Sequence, residues 1–407
     1  MIVNIHSIAQ WNRISSSDTT NSYTSVWFLN KDTGFVCGNA IWSAPDYSII
    51  LRTMDGGNTW DTTFFNSGPF LMSIQFINDS TGYFSGQDGY TYKTSDMGNA
   101  WIPGGSCFLG GDLSSLFFLK IDTGFMHLFG GALVRVNTMP LSTPCVYIGN
   151  FGYNYFPGTG GLRFLNGNDG YVAGGLGKFA RTSDGGNTWQ PYNGDSTIEV
   201  LCAWMSDTSH GVIGGTDGKV SVTNNGGNTW SPTDTISQYS ILDMSFVNAM
   251  KGYAVGGTGI WWWTVPNNER KGLIWKTLDG GYTWAVDDSS FSDNIVSIFI
   301  VNDSLAYAAG NLGVILKNSN LFYDGINENI SSEQNIFLSP NPATDKLRIK
   351  NSELRIKNIE IYNVFGERVY KSESPKSEIN ISNLPSGIYV VRVNADKTQM
   401  TGKFVKE

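Results

Sequence analysis

The sequence lacks the features of several large protein classes. It has no uninterrupted apolar run of 18 residues and no long stretch of 3.6-residue apolar periodicity, so neither a membrane-spanning helix nor a helical domain is predicted. Its 3 His and 4 Cys are not spaced as zinc ligands or as a catalytic triad. No Gly-rich loop connects a strand to a helix, which argues against nucleotide chemistry. We therefore expect no metal and no cofactor.

Charged residues are also scarce, at 15% of the 407 residues, whereas 48 Gly and an aromatic content of 13% are high. This composition is typical of many short strands that are joined by Gly-rich turns. The predicted fold class is therefore all-β. The chain is long enough for one large domain and a second, small module.

The distribution of charge marks a boundary near residue 336. Residues 336–407 contain 12 Lys and Arg against 8 Asp and Glu, whereas residues 1–335 contain 15 against 27. All 13 Trp and all 4 Cys also precede residue 336. Because the larger part is acidic, the sequence does not favour nucleic acid as a partner.

The first residues resemble the end of a secretory signal peptide. Ser7-Ile8-Ala9 fits a small-x-small cleavage site after a short apolar stretch, although the basic region that begins such peptides is missing. Residues 1–9 are therefore interpreted as the remnant of a signal peptide. An ordinary chain terminus is the alternative.

Two repeated patterns run through residues 10–320. In the first, an apolar strand and a polar turn precede a Gly-Tyr or Gly-Phe pair and a second apolar strand. Its seven turn positions are Gly34, Gly82, Gly124, Gly170, Gly211, Gly252 and Ala306. The second pattern is a Thr-x-Asp-Gly-Gly-x-Thr-Trp box, which occurs five times. The Asp or Asn and the Trp of these boxes are Asp55 and Trp60, Asp96 and Trp101, Asp184 and Trp189, Asn225 and Trp230, and Asp279 and Trp284.

The spacing of tryptophans gives an independent count of the repeats. Trp60 and Trp101 are 41 residues apart, as are Trp189 and Trp230, and the interval between these two pairs leaves room for one degenerate copy. The seventh unit has no Trp of its own, and Trp11 is predicted to supply it from an N-terminal strand. Seven four-stranded units that close in this way predict a seven-bladed β-propeller, with an unclosed stack of small sheets as the alternative.

These repeats resemble the Asp-box, or BNR, repeats of sialidases and related propellers. The run of units is most similar to the seven-bladed propellers of photosystem II stability/assembly factors. The resemblance implies that the boxes are folding elements on the face away from the ligand. A sialidase is not favoured, because sialidases bind a carboxylate through three arginines and carry an Arg-Ile-Pro motif that is missing here. Arg52 and Arg181 occupy a recurring Lys/Arg position before the box and are interpreted as structural.

A glycoside hydrolase is the enzymatic alternative, since other glycosidases need only two carboxylates across the scissile bond. The aligned repeats bring seven residues to one position of the strand that should line the channel: Ser25, Ser73, Ser115, Gly161, Cys202, Asp243 and Ser297. Asp243 is the only charged member, and Glu199 is a rare Glu at the beginning of such a strand. These two residues are the catalytic candidates, and a solvated channel Asp is the alternative.

Ligand binding is predicted on the loops opposite the boxes, because functional insertions belong on loops that a rigid scaffold carries. Insertions at 38–48 and 257–272, and the segment 145–161, bring aromatic side chains toward that face. The candidate ligand-binding residues are Trp42, Tyr47, Tyr153, Tyr155, Trp261, Trp262 and Trp263, with Phe156 beside them. Aromatic platforms suit sugar rings and protein hot spots. The alternative is that these side chains pack the longer loops against the rim.

The four cysteines fall into two groups. Cys107 and Cys145 lie in successive segments that end one blade and lead to the next, so a disulfide between them is predicted for an exported protein. Cys37 and Cys202 align with buried strand positions and are predicted to be free thiols.

Residues 321–335 are interpreted as a linker, and residues 336–407 as a small antiparallel Ig-like β-sandwich, from alternating strands separated by turns. The second segment resembles the type A C-terminal sorting domain of the type IX secretion system. The matching positions include Pro340, Asn341, Pro342, Gly366, Gly387, Tyr389 and Lys403. The resemblance implies export across two membranes by the type IX machinery, followed by removal of the module and either release or attachment through lipopolysaccharide. An ordinary accessory module is the alternative.

Together these observations predict an exported protein, secreted or held on the outer-membrane surface, whose propeller binds a glycan or a protein. A secreted glycoside hydrolase is the enzymatic alternative. A role in photosystem II assembly, suggested by the repeats alone, is disfavoured by the sorting module.

Overall fold

In the computed structural model the chain divides into two compact units, residues 1–323 and 324–407. The structure describes residues 11–15, 20–40, 47–67, 70–106, 113–136, 145–152, 161–258, 269–322, 336, 338–349, 356–363, 368–373, 378–395 and 398–407. The only helical elements among these residues are two short 3-10 turns, Gln87–Gly89 and Thr216–Gly218. No helix in the described ranges is long and apolar enough to cross a membrane.

The described part of the first unit forms seven four-stranded antiparallel sheets, which are the blades of a propeller. Strand β1 (Asn12–Arg13) comes first in the chain. Blades 1 to 3 are β2 (Asn21–Phe28), β3 (Gly34–Ala40), β4 (Tyr47–Thr53) and β5 (Asp61–Asn66); β6 (Leu71–Phe76), β7 (Gly82–Gly86), β8 (Tyr90–Thr94) and β9 (Ile102–Ser106); and β10 (Leu113–Lys120), β11 (Thr123–Leu128), β12 (Ala132–Val136) and β13 (Val146–Asn150).

Blades 4 to 6 are β14 (Leu162–Phe164), β15 (Gly170–Gly174), β16 (Lys178–Thr182) and β17 (Gln190–Asn193); β18 (Val200–Met205), β19 (Gly211–Gly215), β20 (Lys219–Thr223) and β21 (Asp234–Thr235); and β22 (Ser240–Phe246), β23 (Gly252–Gly257), β24 (Gly272–Thr277) and β25 (Ala285–Phe291). Blade 7 contains β26 (Ile295–Ile300), β27 (Ala306–Gly310) and β28 (Ile315–Asn318). The first strands of neighbouring blades contact one another around the ring, and blade 4 meets blade 5 through β15 and β18.

The N-terminal strand closes the ring, as the tryptophan spacing predicts. Strand β1 is the outermost strand of blade 7 and pairs Asn12 with Lys317. Trp11 is buried and packs edge-to-face on Tyr253 of blade 6, with ring centroids 5.7 Å apart. Its indole N–H donates to Asp287 at 3.0 Å. Pairing the two ends of the chain in one blade removes the open edges that an unclosed stack of sheets would expose.

The repeated turn glycine is explained by the contacts between blades. Phe118 of β10 stacks on Tyr83 of blade 2 at 3.7 Å between ring centroids, and it lies directly opposite Gly124 on β11. A Cβ atom on Gly124 would be 2.6 Å from the Phe118 ring. In blade 7 the residue opposite Ala306 is Ile300, and this pair accommodates the additional carbon. The glycine therefore makes room for an aromatic ring that packs between blades.

The boxes are hairpins between the third and fourth strands. Gly56 and Gly57 have φ of 69° and 88°, which L side chains adopt at a cost. The Gly56 N–H donates to the carbonyl of Asp32, in the turn between the first two strands of the same blade, at 2.8 Å. Four further boxes make the same bond, so both kinds of turn lie at one end of the propeller, which we name the box end.

The second unit consists of two antiparallel sheets around one core. Its strands are β29 (Leu338–Ser339), β30 (Lys346–Ile349), β31 (Ile356–Tyr362), β32 (Arg368–Ser372), β33 (Glu378–Asn380), β34 (Gly387–Ala395) and β35 (Thr398–Lys406). One sheet has the order β29-β30-β33 and the other β32-β31-β34-β35. Leu347 of the smaller sheet and Ile361, Val391 and Phe404 of the larger one are fully buried. The all-β prediction of a propeller followed by a small sandwich is confirmed.

Candidate functional site

The seven residues that the aligned repeats place at one position lie next to a shared irregularity. In six blades a register shift in the first strand comes directly before this position, as at Tyr23/Ser25 and Ile241/Asp243. The six described side chains that the position carries, apart from Gly161, are buried. Ser25 accepts the N–H of Ile74 in the next blade at 3.4 Å, and Ser297 accepts that of Val26 at 3.3 Å. The position therefore joins neighbouring blades, and its member Asp243 also borders the central cavity.

Asp243 makes the strongest of these connections. Its Oδ2 accepts the Ile298 N–H at 3.0 Å and the Ser297 hydroxyl at 3.1 Å, and its Oδ1 accepts the Met244 N–H at 2.9 Å. Burial raises the pKa of this carboxyl to about 6, while the three hydrogen bonds and the charge of Arg163 oppose the increase. A carboxylate that is committed in this way anchors blade 6 to blade 7.

The channel is lined two residues further toward the box end. One side chain from each of the seven blades borders a narrow central cavity of about 20 Å³. These side chains, which we name the channel ring, are Trp27, Gln75, Phe117, Arg163, Trp204, Ser245 and Phe299. Four are aromatic and only one is charged. Gln75 and Ser245 also accept backbone N–H groups of the next blade, at 2.6 Å and 3.3 Å.

Arg163 is the unusual member of the channel ring. Its guanidinium carbon lies 3.7 Å from the centroid of the Trp204 ring, which is a cation–π contact. No hydrogen bond or ion pair to Arg163 is present among the described residues, although the charges of Asp243 and Tyr171 act on it. Desolvation lowers the pKa of this guanidinium from its ordinary value.

The other five arginines of the propeller all have partners. Arg52 and Arg181 donate to the box of the following blade, at Met97 O (2.8 Å) and Gly226 O (2.9 Å). The remaining three are paired with protein acceptors: Arg13 with Leu312 O, Arg135 with Asn187, and Arg270 with Asp293. The structural interpretation of Arg52 and Arg181 agrees with these bonds, and Arg163 is the exception.

A second, more open cavity of about 240 Å³ adjoins Arg163 and Trp204. Its walls are the ends of β14, β18 and β22 and the residues that follow them, among them Ser206 and Asn248. Because these strands lead into the turns that bond to the boxes, the cavity opens at the box end. Both cavities share Arg163 and Trp204, so the guanidinium is within reach of a ligand in either.

Comparison with known proteins assigns the second unit. Residues 337–407 match the family described as the secretion system C-terminal sorting domain. This chain carries a type IX sorting domain. The domain implies export by the type IX machinery, to the medium or to the cell surface.

The propeller is similar in fold to known assembly factors. Over 80 residues, 19% of this chain and 19% of the relative, it is 32% identical to the chloroplastic photosystem II stability/assembly factor HCF136 of Oryza sativa subsp. japonica. The structure of YCF48 bound to D1 peptide aligns with a TM-score of 0.60 and 16% identity, over 77% of this chain and 96% of that one. YCF48 from Cyanidioschyzon merolae gives 0.56 and 17%, over 76% and 98%. Identities this low show the fold alone.

Within the sorting domain, the predicted sorting residues hold the last strand in place. The Asn341 side chain donates to the Lys403 carbonyl at 3.1 Å and accepts the Val405 N–H at 2.9 Å, so it fastens β35 from outside the sheet. The Tyr389 ring stacks on Phe404 at 5.5 Å, and its hydroxyl donates to the Pro385 carbonyl. Gly366 lies outside the described residues.

The Asp or Asn of each box accepts hydrogen bonds from its own turn. Asp184 Oδ1 accepts the Thr182 hydroxyl at 2.8 Å and the Thr188 N–H at 2.9 Å, and its Oδ2 accepts the Thr188 hydroxyl at 2.7 Å. These hydrogen bonds lower the pKa of Asp184 to about 2. Trp189 packs edge-to-face on Phe125 of the preceding blade. Such carboxylates stabilise the hairpin.

Most of the predicted ligand-binding residues are not described by the structure. Trp42, Tyr153, Tyr155, Trp261, Trp262 and Trp263 all lie outside the described ranges. Tyr47 is described: it begins β4 and stacks on the exposed Phe65 at 4.6 Å between centroids. Binding by these loops stays a prediction.

The two catalytic candidates are not partners. Asp243 uses both oxygens in the hydrogen bonds to blades 6 and 7, and Glu199 is not among its contacts in the described structure. Glu199 precedes β18, and its backbone carbonyl accepts the Thr216 N–H at 3.1 Å. The acid–base pair of a glycosidase is not assembled by this arrangement.

Cys37 and Cys202 are buried free thiols, as the sequence predicts. Cys145 is disulfide-bonded. Cys107, its predicted partner, lies outside the described residues, so the pairing itself stays a prediction.

Sequence reasoning missed the channel ring, although the signal was present. In the alignment of the seven first strands, the channel ring lies two residues after the position of Ser25 and its equivalents. In six blades both positions follow the strand irregularity in regular register, so only the tertiary arrangement shows that the later residue borders the channel. An aromatic or Arg at most members of the later position was the available clue.

Proposed function

We propose that this chain is an exported binding module whose propeller holds a protein or glycan ligand at the channel ring. The observation that carries the proposal is a ring of seven aligned residues that is predominantly aromatic, encloses a cavity and contains a single arginine without a protein partner. Concave sites with aromatic walls and few polar groups are the usual form of ligand sites.

Two further observations support a binding role over a catalytic one. Asp243 is the acidic residue beside the ring, and its oxygens are committed to hydrogen bonds between blades. No group of three or more His, Cys, Asp and Glu residues in the described ranges is arranged to hold a metal ion. The channel ring therefore offers contact surface and one positive charge, which suit recognition better than hydrolysis.

The similar structures are consistent with a peptide as ligand. One of them is YCF48 bound to D1 peptide, so a propeller with this fold binds a peptide in that case. A glycan is the second class of ligand that the aromatic ring can accept. After export, the module is proposed to act outside the cell, either released or attached through lipopolysaccharide.

The proposal is tested by screening the full chain on a peptide array and a glycan array. Wild type is compared with Trp204→Leu and Phe117→Leu in the channel ring, and with Phe65→Ser, an exposed aromatic residue on β5, as the matched control. A ligand selected by wild type should be lost in both ring variants and retained in the control. Retention in folded ring variants, as judged by circular dichroism, would move the site to the predicted loops and contradict the proposal.

A further inference from the structure

Arg163 has no hydrogen bond or ion pair within the described structure, although the charge of Asp243 acts on it. Each of the other five arginines before residue 336 is bonded to a carbonyl, an amide or a carboxylate. Arg163 is partly buried among the channel ring, and within the described structure it makes only the contact with Trp204. Burying a cation without a hydrogen-bond acceptor is unfavourable. Ionisable groups in such surroundings are often found at functional sites.

The geometry leaves the hydrogen-bonding edge of Arg163 free. The guanidinium carbon lies over the Trp204 ring, and no described residue accepts a hydrogen bond from the guanidinium N–H groups. A guanidinium edge matches the two oxygens of a carboxylate, which it binds bidentately. The cavities on either side share Arg163 and Trp204, so there is space for an acceptor beside the guanidinium.

The surroundings favour one negative charge over two. Arg163 is the only cationic residue that lines either cavity, with no Lys beside it. The Asp243 carboxylate acts on it electrostatically from the same cavity. Beside one cation and the nearby Asp243 carboxylate, a phosphate dianion would bring two further negative charges, whereas a carboxylate brings only one. Trp27, Phe117 and Phe299 provide apolar walls for the group that carries the carboxylate.

We infer that Arg163 is the recognition residue of a carboxylate-binding site in the propeller channel, and that the ligand places an apolar or planar group against the aromatic members of the channel ring. The inference rests on the proposed binding function and adds its chemical class. The carboxylate comes either from a free small acid or from an acidic side chain of a peptide.

The test uses the full chain and two matched pairs of probes. One pair is phenylacetate and its neutral amide, phenylacetamide; the other is a capped Phe-Glu-Phe peptide and its Phe-Gln-Phe counterpart. Titration calorimetry should give wild-type affinities at least roughly tenfold higher for the acid than for the amide in one pair. The pair that shows this preference identifies the source of the carboxylate.

The variant Arg163→Met should abolish the preference, while Arg135→Met, which removes an exposed bond to Asn187, should keep it. The Nε–H resonance of Arg163 in the wild-type protein gives a second readout that does not depend on the variant folding, and it should shift with the acid alone. Equal binding of acid and amide, or a preference that survives Arg163→Met, would overturn the inference but leave a binding function at the ring. Absence of binding to any of the four probes would also overturn it, whereas the array screen decides the proposed function separately.

Discussion

At the scale of single residues, the turn glycines are required by packing and not by backbone conformation. A Cβ atom at Gly124 would be 2.6 Å from the buried Phe118 ring, and five of the seven blades pair a glycine with a Phe in this way. The sequence pattern alone identifies the glycine only as a turn residue. Its neighbour across the strand pair is visible only when the two strands are in register.

Gly124→Ala is therefore expected to destabilise the propeller by about 1–3 kcal/mol, since it forces an extra carbon into a packed ring stack. Gly167→Ala, where a Cβ meets nothing within 4 Å, is the matched control and should be close to neutral. The midpoint of urea unfolding measures both. Equal effects in the two variants would show that the Phe118 contact does not explain the glycine.

Two buried titratable residues are expected to give opposite pH dependence. Burial lowers the pKa of His127 to about 4 from 6.5, so its neutral form favours folding above pH 6.5, and this contribution is lost as the pH falls toward 4. Burial raises the pKa of Asp243 to about 6 from 3.8, so folding favours its protonated form. Its contribution to the free energy of unfolding is therefore fully present below pH 3.8 and is lost as the pH rises through 6. Each effect is worth about 3 kcal/mol, and the two nearly cancel.

Wild-type stability should therefore change little between pH 4 and 6.5 on account of these two groups. His127→Leu should make the unfolding free energy fall with rising pH in this range, and Asp243→Asn should make it fall with decreasing pH. The double variant should again be flat. Denaturant titrations at four pH values provide the measurement, and parallel slopes in the two single variants would contradict the assignment.

At the scale of elements, the two-residue strand β1 closes the propeller. Strand β1 contains two residues, yet it joins the beginning of the chain to blade 7. The sequence predicted this because the seventh unit has no Trp of its own and Trp11 lies in a segment that resembles the strand following a box. What the sequence could not give is the partner of the indole N–H, Asp287, which comes from blade 6.

Trp11→Ala should destabilise the protein by about 3 kcal/mol or more, as expected for deletion of a buried Trp side chain. Asp287→Asn retains an acceptor for the indole N–H and serves as the control, with a much smaller effect. The midpoint of thermal unfolding at fixed pH checks both variants. A Trp11→Ala protein as stable as wild type would mean that β1 is not needed for closure.

At the scale of the whole molecule, the chain joins a propeller to a sorting domain. Deleting residues 336–407 is expected to stop export and leave the propeller in the periplasm, because the sorting domain matched at 337–407 is the recognised part. Asn341→Ala, which removes both side-chain bonds to β35, should reduce export, whereas Lys371→Ala at an exposed ion pair should not. Immunoblots of periplasmic, surface and medium fractions measure the outcome, and normal surface display after the deletion would contradict it.

The sequence by itself determined the all-β class, the number of blades, the closing strand and the sorting domain, because each depends on a local pattern that repeats or matches in order. The box was assigned a structural role on the same grounds, and its internal hydrogen bonds agree with that interpretation.

Only the tertiary structure decided which residues face the channel. A side chain on the first strand of a blade can point to the neighbouring blade or to the axis, and a one-residue irregularity such as that at Thr24 changes which alternate positions do so. The structure also showed that Asp243 connects two blades, and that Arg163, one of the six arginines before residue 336, is the only one of those six without a hydrogen bond or ion pair in the described structure.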